Sequence, residues 1–443
     1  MMKQTEPSQF SRPAPQSRPV QPRQQAQPPQ QAQPQPPHPF AQLRVAGVAT
    51  VAALGLLLSG CSANGDAAAN DDAAATSEDT SKATAKPADA AAVTRPAAPE
   101  GELPAKLQTE LQGALDEVIA EYEIPGAAAG VWIPGEGSWT TAVGLANVED
   151  DIPVTTEMVW PIRSITKSYT VTMLLQLADE GKLSLDDTID QYVDGVTDGD
   201  QITLLQLANM SSGNGDYVNQ AFIDDFAPDP TKIYTLEELN SFALDLEPQF
   251  APGTDYFYTN SNTNLIGAVI EEVTGKPYAE ALNERILEPL GQTGTTYMSD
   301  VADWADPHPV GYFIRDGKPV AQDENPSILG AAGALYSTLD DGRVWAETLG
   351  TGSLLKSETQ ELRQVGHKIP KPPYDRYAVG MGETGTWLGH NGEGLGFTAA
   401  TFHDTKTGAN IVVYTNESDN PDVHPADTAF RALAAVIETE LGE

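Results

Sequence analysis

The stretch Trp160-Pro-Ile-Arg-Ser-Ile-Thr-Lys-Ser-Tyr-Thr-Val171 decides how this chain is read. It sets Ser164 and Lys167 three residues apart at the start of a helical pattern. Val171, Leu174, Leu175 and Ala178 recur at the spacing of one buried helix face, with Pro161 before the run and Gly181 after it. Residues i and i+3 share a helix face, so the hydroxyl and the amine can meet. A serine becomes a nucleophile only beside a base, and a desolvated lysine can supply one. The spacing alone is not specific, because Ser353-Leu-Leu-Lys356 repeats it.

Two further stretches give the pair its context. The loop Pro252-Gly-Thr-Asp-Tyr-Phe-Tyr-Thr-Asn-Ser-Asn262 precedes an apolar helix, Leu265–Val273, and places Tyr258 two residues before Asn260. A tyrosine between cations can ionise enough to act as a base, and an asparagine amide can hold a substrate carbonyl. The stretch Leu388-Gly-His-Asn-Gly-Glu-Gly-Leu-Gly-Phe397 sets His390 among glycines that let the backbone approach a ligand or another segment closely. Lys406-Thr-Gly408 offers a competing cationic motif, but it sits in a polar turn between two strands and reads as hairpin chemistry. The remaining histidines of this region show no metal-like spacing.

The 443 residues carry a formal net charge of -38. Such acidity argues against nucleic acid or an anionic membrane surface as an electrostatic partner. Cys61 is the single cysteine, so no intramolecular disulfide can form and the fold must rest on a hydrophobic core.

Residues 1–40 are dominated by Gln, Pro, Ser and Arg and cannot bury enough apolar surface to order themselves. An apolar run from Val45 to Leu58 follows Arg44 and ends in Leu58-Ser-Gly-Cys61. The run is short for a membrane span and has the length of a signal-peptide core. Small residues before a lone cysteine resemble a bacterial lipoprotein signal, which makes Cys61 the expected lipidation site and residues 1–61 a disordered region plus signal peptide. Residues 62–103, rich in Ala, Asp, Thr and Ser, read as an acidic tether, leaving 104–443 as the folded domain. The expected setting is extracytoplasmic and membrane-anchored.

Within that domain Leu107, Leu111, Leu115, Val118 and Ile119 form a helical stripe, and Gly126–Ile133 and Ser138–Ala146 read as a hairpin across Pro134–Gly137. Gly396–Phe402 and Asn410–Tyr414 read as two strands near the C-terminus, followed by a helix carrying Phe430, Leu433, Val436 and Ile437. The expected class is α+β: an antiparallel sheet built from both ends, flanked by N- and C-terminal helices, with an inserted, mostly helical subdomain. The active site is expected in the cleft between them.

The order Ser-x-x-Lys, Tyr-x-Asn, His-x-Gly resembles the penicillin-recognising serine hydrolases, in the branch holding class C β-lactamases, D-alanyl-D-alanine carboxypeptidases, D-aminopeptidases and related esterases. Arg163–Tyr169, Leu175–Leu183 and Tyr258–Gly267 are similar to the carboxypeptidases of that branch, and the likeness runs over roughly 104–440. The resemblance implies a β-lactamase/transpeptidase-like fold and an acyl-enzyme on Ser164. Lys167 and Tyr258 would share the base role, Asn260 would orient the substrate amide, and the N–H groups of Ser164 and Glu393 would form the oxyanion hole. Gly392 would bring that strand close, and His390 would keep the site electropositive and hydrogen-bond Tyr258. No metal or organic cofactor is required, the partner is a small-molecule or peptide substrate, and the oligomeric state is left open.

The resemblance also exposes a departure. Carboxypeptidases of the branch hold the substrate carboxylate with an arginine just upstream of the third motif, whereas Tyr377–Gly389 contains no Arg or Lys and carries Glu383. Cell-wall D-alanyl peptides are the first substrate expected, with esters or β-lactams as alternatives. A slowly acylating envelope sensor is the alternative of another class. The missing anchor predicts weak action on free carboxylate termini, correctable by an arginine at Gly382.

Overall fold

The first long strand of the chain pairs with the last, and the sheet grows outward from that pairing. In this computed structural model, which describes residues 93–369, 373–418 and 423–441, β1 (Gly126–Ile133) lies between β2 (Gly137–Asn147) and a C-terminal strand, with Ala129 opposite Val413. The other strands of this sheet are β3 (Ile152–Pro153), β4 (His367–Lys368), β5 (Arg376–Tyr377), β6 (Gly382–Thr384), β7 (Trp387–Gly394), β8 (Phe397–Asp404) and β9 (Asn410–Thr415). Their order is β3-β2-β1-β9-β8-β7-β6-β5-β4, antiparallel at every step. Leu395 and Gly396 turn β7 into β8 with φ of 48° and 85°. Two consecutive left-handed residues make the tight hairpin turn whose twist suits adjoining strands.

Strand β9 shows why the sheet is a central layer. Its run Asn410-Ile-Val-Val-Tyr-Thr415 is β-branched and aromatic and buried throughout. Ile411 and Val413 join the cluster formed with α1 (Ala105–Glu121) and the last helix, where Leu107, Leu111 and Leu115 meet Phe430, Leu433 and Ile437. Val412 and Tyr414 project into the opposite cluster, with Trp345 and Leu174. Full burial of such a side chain stabilises by about 1.5–3 kcal/mol. Both faces are therefore covered.

The helix carrying Lys167, α2 (Thr166–Asp179), departs from the one-faced stripe expected of it. Every residue from Thr166 to Leu175 is buried. It runs between the sheet and a helical insertion that includes α3 (Asn260–Thr274), with α4 (Leu339–Thr351) on its other side. Its polar side chains find partners in the insertion: Thr166 Oγ1 accepts from Leu335 N at 3.1 Å, and Thr170 Oγ1 donates to Ala331 O at 2.7 Å. Buried hydroxyls of this kind are tolerated only when so paired.

The final helix is α5 (Pro425–Glu440). The arrangement is the α+β one expected: terminal helices on one face of an antiparallel sheet, a helical insertion on the other. Residues 93–103, assigned by composition to the tether, instead pack along this body. Arg95 donates to Gly291 O at 2.6 Å, Pro96 O accepts from Arg343 at 3.1 Å, and Leu103 is buried. Cys61 and the apolar run before it lie outside the described residues.

Candidate active site

Ser164 sits in a single 3-10 turn, Arg163–Ile165, immediately before α2. Arg163 has φ of 51°, a left-handed conformation that costs a non-glycine residue about 1–3 kcal/mol. Its guanidinium secures that conformation. It is buried, makes two bonds to the Glu324 carboxylate at 2.9 and 2.5 Å, and donates through Nε to Gly394 O at 3.0 Å. A forked arginine–carboxylate pair is directional, so the turn presenting Ser164 is tied to both the insertion and the β7–β8 hairpin.

Lys167 is fully buried at the head of α2. Its Nζ lies 2.9 Å from Ser164 Oγ, 2.7 Å from Asn260 Oδ1 and 2.9 Å from Ala332 O. The carbonyl and the amide oxygen can only accept. A neutral amine spends its two N–H groups on them and leaves its lone pair facing the serine hydroxyl. Burial lowers the Lys167 pKa from 10.5 to about 7, against an opposing pull from Asp216. The geometry and the protonation state therefore agree on a base beside Ser164.

Asn260 is held by the same carboxylate. Its backbone N–H and Nδ2 donate to Asp216 Oδ2 at 2.8 and 3.2 Å, so its amide faces Lys167 with oxygen and Asp216 with nitrogen. Its oxygen is held by the lysine, and one of the two N–H groups on Nδ2 is held by Asp216, which leaves the second N–H for a substrate carbonyl.

Tyr258 is half-buried, hydrogen-bonds Ser164, and stacks its ring 5.0 Å from Lys167 Nζ. Desolvation, and after it the Asp216 charge, raises its pKa well above the ordinary phenol value, despite that hydrogen bond. That shift favours the neutral phenol over the ionised form that the sequence allowed.

His390 is fully buried and also differs from expectation. Its Nδ1 donates to Asn391 O at 2.5 Å, and its Nε2 lies 3.2 Å from the Tyr377 hydroxyl, which donates to it. Burial first, then Lys167 and Arg363, lowers its pKa to about 3. It is a neutral imidazole and contributes no positive charge. The hydroxyl on its Nε2 belongs to Tyr377, whose ring meets Tyr258 edge-on at 5.5 Å. The support for Tyr258 thus passes through Tyr377, a residue quoted from the upstream segment only for the arginine it lacks.

Strand β7 comes close because Gly392 has no side chain. A Cβ there would stand 2.3 Å from Ile162 O and 2.9 Å from Ser164 N. Glu393, the next residue, is half-buried beside this contact. Asp404, which heads the turn holding Lys406, lies opposite Trp387 at the far end of the β7–β8 pair. It is five residue steps along the strand from Ala399, the partner of Gly392, which is roughly 17 Å. Ser353 and Lys356 are likewise outside the cluster: Lys356 N donates to Asp179 at the C-terminal end of α2. Glu383 faces Arg376 across β5–β6, at 3.6 Å, and Arg343 pairs with Asp340 at 2.9 Å. Gly382 cannot take the arginine suggested for it, since its Cβ would stand 2.3 Å from the Tyr374 ring. Among the described residues no cluster could hold a metal ion.

A serine beside a buried lysine, with a tyrosine and a close glycine strand around it, is the arrangement of a serine hydrolase. The chain belongs to the beta-lactamase family, whose model matches residues 111–436. It is 30% identical to a D-aminopeptidase of Brucella anthropi over 43% of this chain and 36% of that one. The chain thus spans only about a third of that relative's length. Among solved structures it is similar to a D-stereospecific amidohydrolase from Streptomyces sp. (29% identity, 75% of this chain and 98% of that one, TM-score 0.64). It is also similar to the octameric penicillin-binding protein homologue from Pyrococcus abyssi (28%, 76% and 77%, 0.65).

Proposed function

We propose that this chain is an amidohydrolase that forms an acyl-enzyme on Ser164 and favours small D-amino acid amides and esters over peptides ending in a free carboxylate. The observation that carries it is the buried Lys167 Nζ standing 2.9 Å from Ser164 Oγ. Ser164 attacks the substrate carbonyl as its proton passes to Lys167. The oxyanion is met by the N–H groups of Ser164 and Glu393. The neutral Tyr258 hydroxyl gives its proton to the leaving nitrogen and recovers one from Lys167. Water then attacks the ester, using the same base, and frees Ser164. His390 acts as a positioning residue behind Tyr377.

The preference rests on charge. A substrate carboxylate needs a cation or several donors. Arg376 is paired with Glu383 and Arg343 with Asp340, and Arg363 is buried, with a guanidinium N–H donating to Ser168 O. The names borne by the D-aminopeptidase and the D-stereospecific amidohydrolase point the same way. The test is a side-by-side assay of the purified protein on D-phenylalanine amide, an acyl-D-alanyl-D-alanine peptide, nitrocefin and a p-nitrophenyl ester. Amide and ester turnover should exceed D-alanine release. Dominant D-alanine release would restore the carboxypeptidase reading, and dominant nitrocefin turnover the β-lactamase one. A stoichiometric burst without turnover on all four would indicate a sensor.

Leu58–Cys61 supports a further reading, that the protein is a lipoprotein outside the cytoplasm. No described helix is long and apolar enough to cross a membrane. Cys61→Ala should release the protein from the membrane fraction or block its processing. A wild-type protein with a mature N-terminus elsewhere would end that reading.

A further inference from the structure

The peptide unit between Gly392 and Glu393 has two ends with different partners. Asn391 N–H donates to the Tyr374 hydroxyl at 2.8 Å, away from β8. Residues two apart in a strand present their N–H groups to the same edge, so the Glu393 N–H also points away from β8, on the Ser164 side. The carbonyl of a trans peptide points opposite to its N–H. That carbonyl, Gly392 O, lies 3.1 Å from Nε2 of His424.

The ring of His424 can be assigned a tautomer. Its Nδ1 accepts from Asp427 N at 3.1 Å as the N-cap of α5. An accepting Nδ1 leaves the proton on Nε2, which therefore donates to Gly392 O. One half-buried imidazole thus caps a 16-residue helix and grips the peptide whose other end faces the nucleophile.

We propose that His424 is a positioning residue of the oxyanion hole. Gly392 also faces Ala399 across the β7–β8 ladder. The Nε2–H of His424 adds a further donor on its carbonyl that holds the plane of the Gly392–Glu393 peptide and, by polarising the carbonyl, strengthens the opposite N–H as a donor. The inference rests on the reading of Ser164 as nucleophile and of Glu393 N–H as oxyanion donor. It goes beyond that reading by assigning the donor's orientation to a helix on the far side of the strand. His424 touches no reacting atom.

Two substitutions separate this role from capping. His424→Asn keeps an oxygen that can cap α5 but cannot reach Gly392 O. His424→Gln keeps a donor at the reach of Nε2 but caps poorly. Loss of a whole oxyanion donor costs 10²–10³ in kcat, and loss of its support should cost about tenfold. His424→Asn should therefore lower kcat on the amide and the rate of fluorophosphonate labelling about tenfold, with KM and Tm near wild type. His424→Gln should lower Tm and retain both rates. Labelling of His424→Asn at the wild-type rate, or activity that follows Tm in both variants, overturns the proposal. Ser164→Ala run in parallel keeps the two readings apart: persistent labelling there removes the nucleophile assignment itself, whereas lost labelling there with normal His424→Asn removes only the role of His424.

Discussion

At the scale of single residues the site works by removing charge. Lys167 is buried among acceptors and loses its proton near pH 7, Tyr258 stays a phenol, and His390 stays neutral at every working pH. Activity should then rise as Lys167 deprotonates, giving an ascending limb in kcat/KM near pH 7. The Asp216 carboxylate favours the protonated amine. Asp216→Asn removes that pull, lowers the lysine pKa further and should move the limb to lower pH; a limb that stays or moves up would assign it to another group. A second expectation sets His390 against Lys406. His390→Ala leaves Tyr377 without its acceptor and should lower kcat/KM roughly 10²-fold. Lys406→Ala, in an exposed turn, should change stability by no more than about 0.5 kcal/mol and leave activity alone. Rates on one substrate and a denaturation midpoint decide between them. The motif residues were legible because Ser164, Lys167 and Tyr258 lie on short, recognisable stretches. Asp216, Glu324 and Tyr377 were not, because each acts across a distance that only the fold closes. A charged residue inside the motif, Arg163, was the available hint that a carboxylate had to be found for it.

At the scale of elements the β7 strand and the Arg163–Ile165 turn are in backbone contact, and Gly392 permits it. Gly392→Ala would drive a methyl into Ile162 O, a backbone atom that cannot step aside as a flexible side chain would. Overpacking of this kind costs about 1–3 kcal/mol, and here it also moves the Glu393 N–H away from Ser164. The expected result is a modest fall in Tm with a much larger fall in fluorophosphonate labelling. Equal, small losses in both would mean the two segments are less tightly registered than their separation indicates. The β1–β2 and β8–β9 hairpins were readable from alternation and turn residues, since those signals are local. Helix α2 was readable as a helix but not as a central one. Its apolar stripe marks one face, and its hydroxyls are buried only because Leu335 and Ala331 return from far along the chain to meet them.

At the scale of the whole molecule the two ends of the domain hold one sheet together. The pattern of terminal strands around a helical insertion was legible because strand and helix periods differ so plainly. The docking of residues 93–103 was not, since composition cannot show that Arg95 reaches the Gly291 carbonyl and the Asp340 carboxylate. A protein ending before Asn410 keeps Ser164, Lys167, Tyr258 and His390, yet β1 and β8 both lose the strand that lies between them. Such a fragment should show no fluorophosphonate labelling and no cooperative unfolding transition. Labelling at a full rate would mean that the insertion and β7 assemble the site without the central strand. The same pairing governs timing. The nucleophile is synthesised early and β9 very late, so the enzyme stays silent until nearly its whole length is available to fold. A chain threaded across a membrane in an extended form would therefore acquire activity on the side where its last strand arrives.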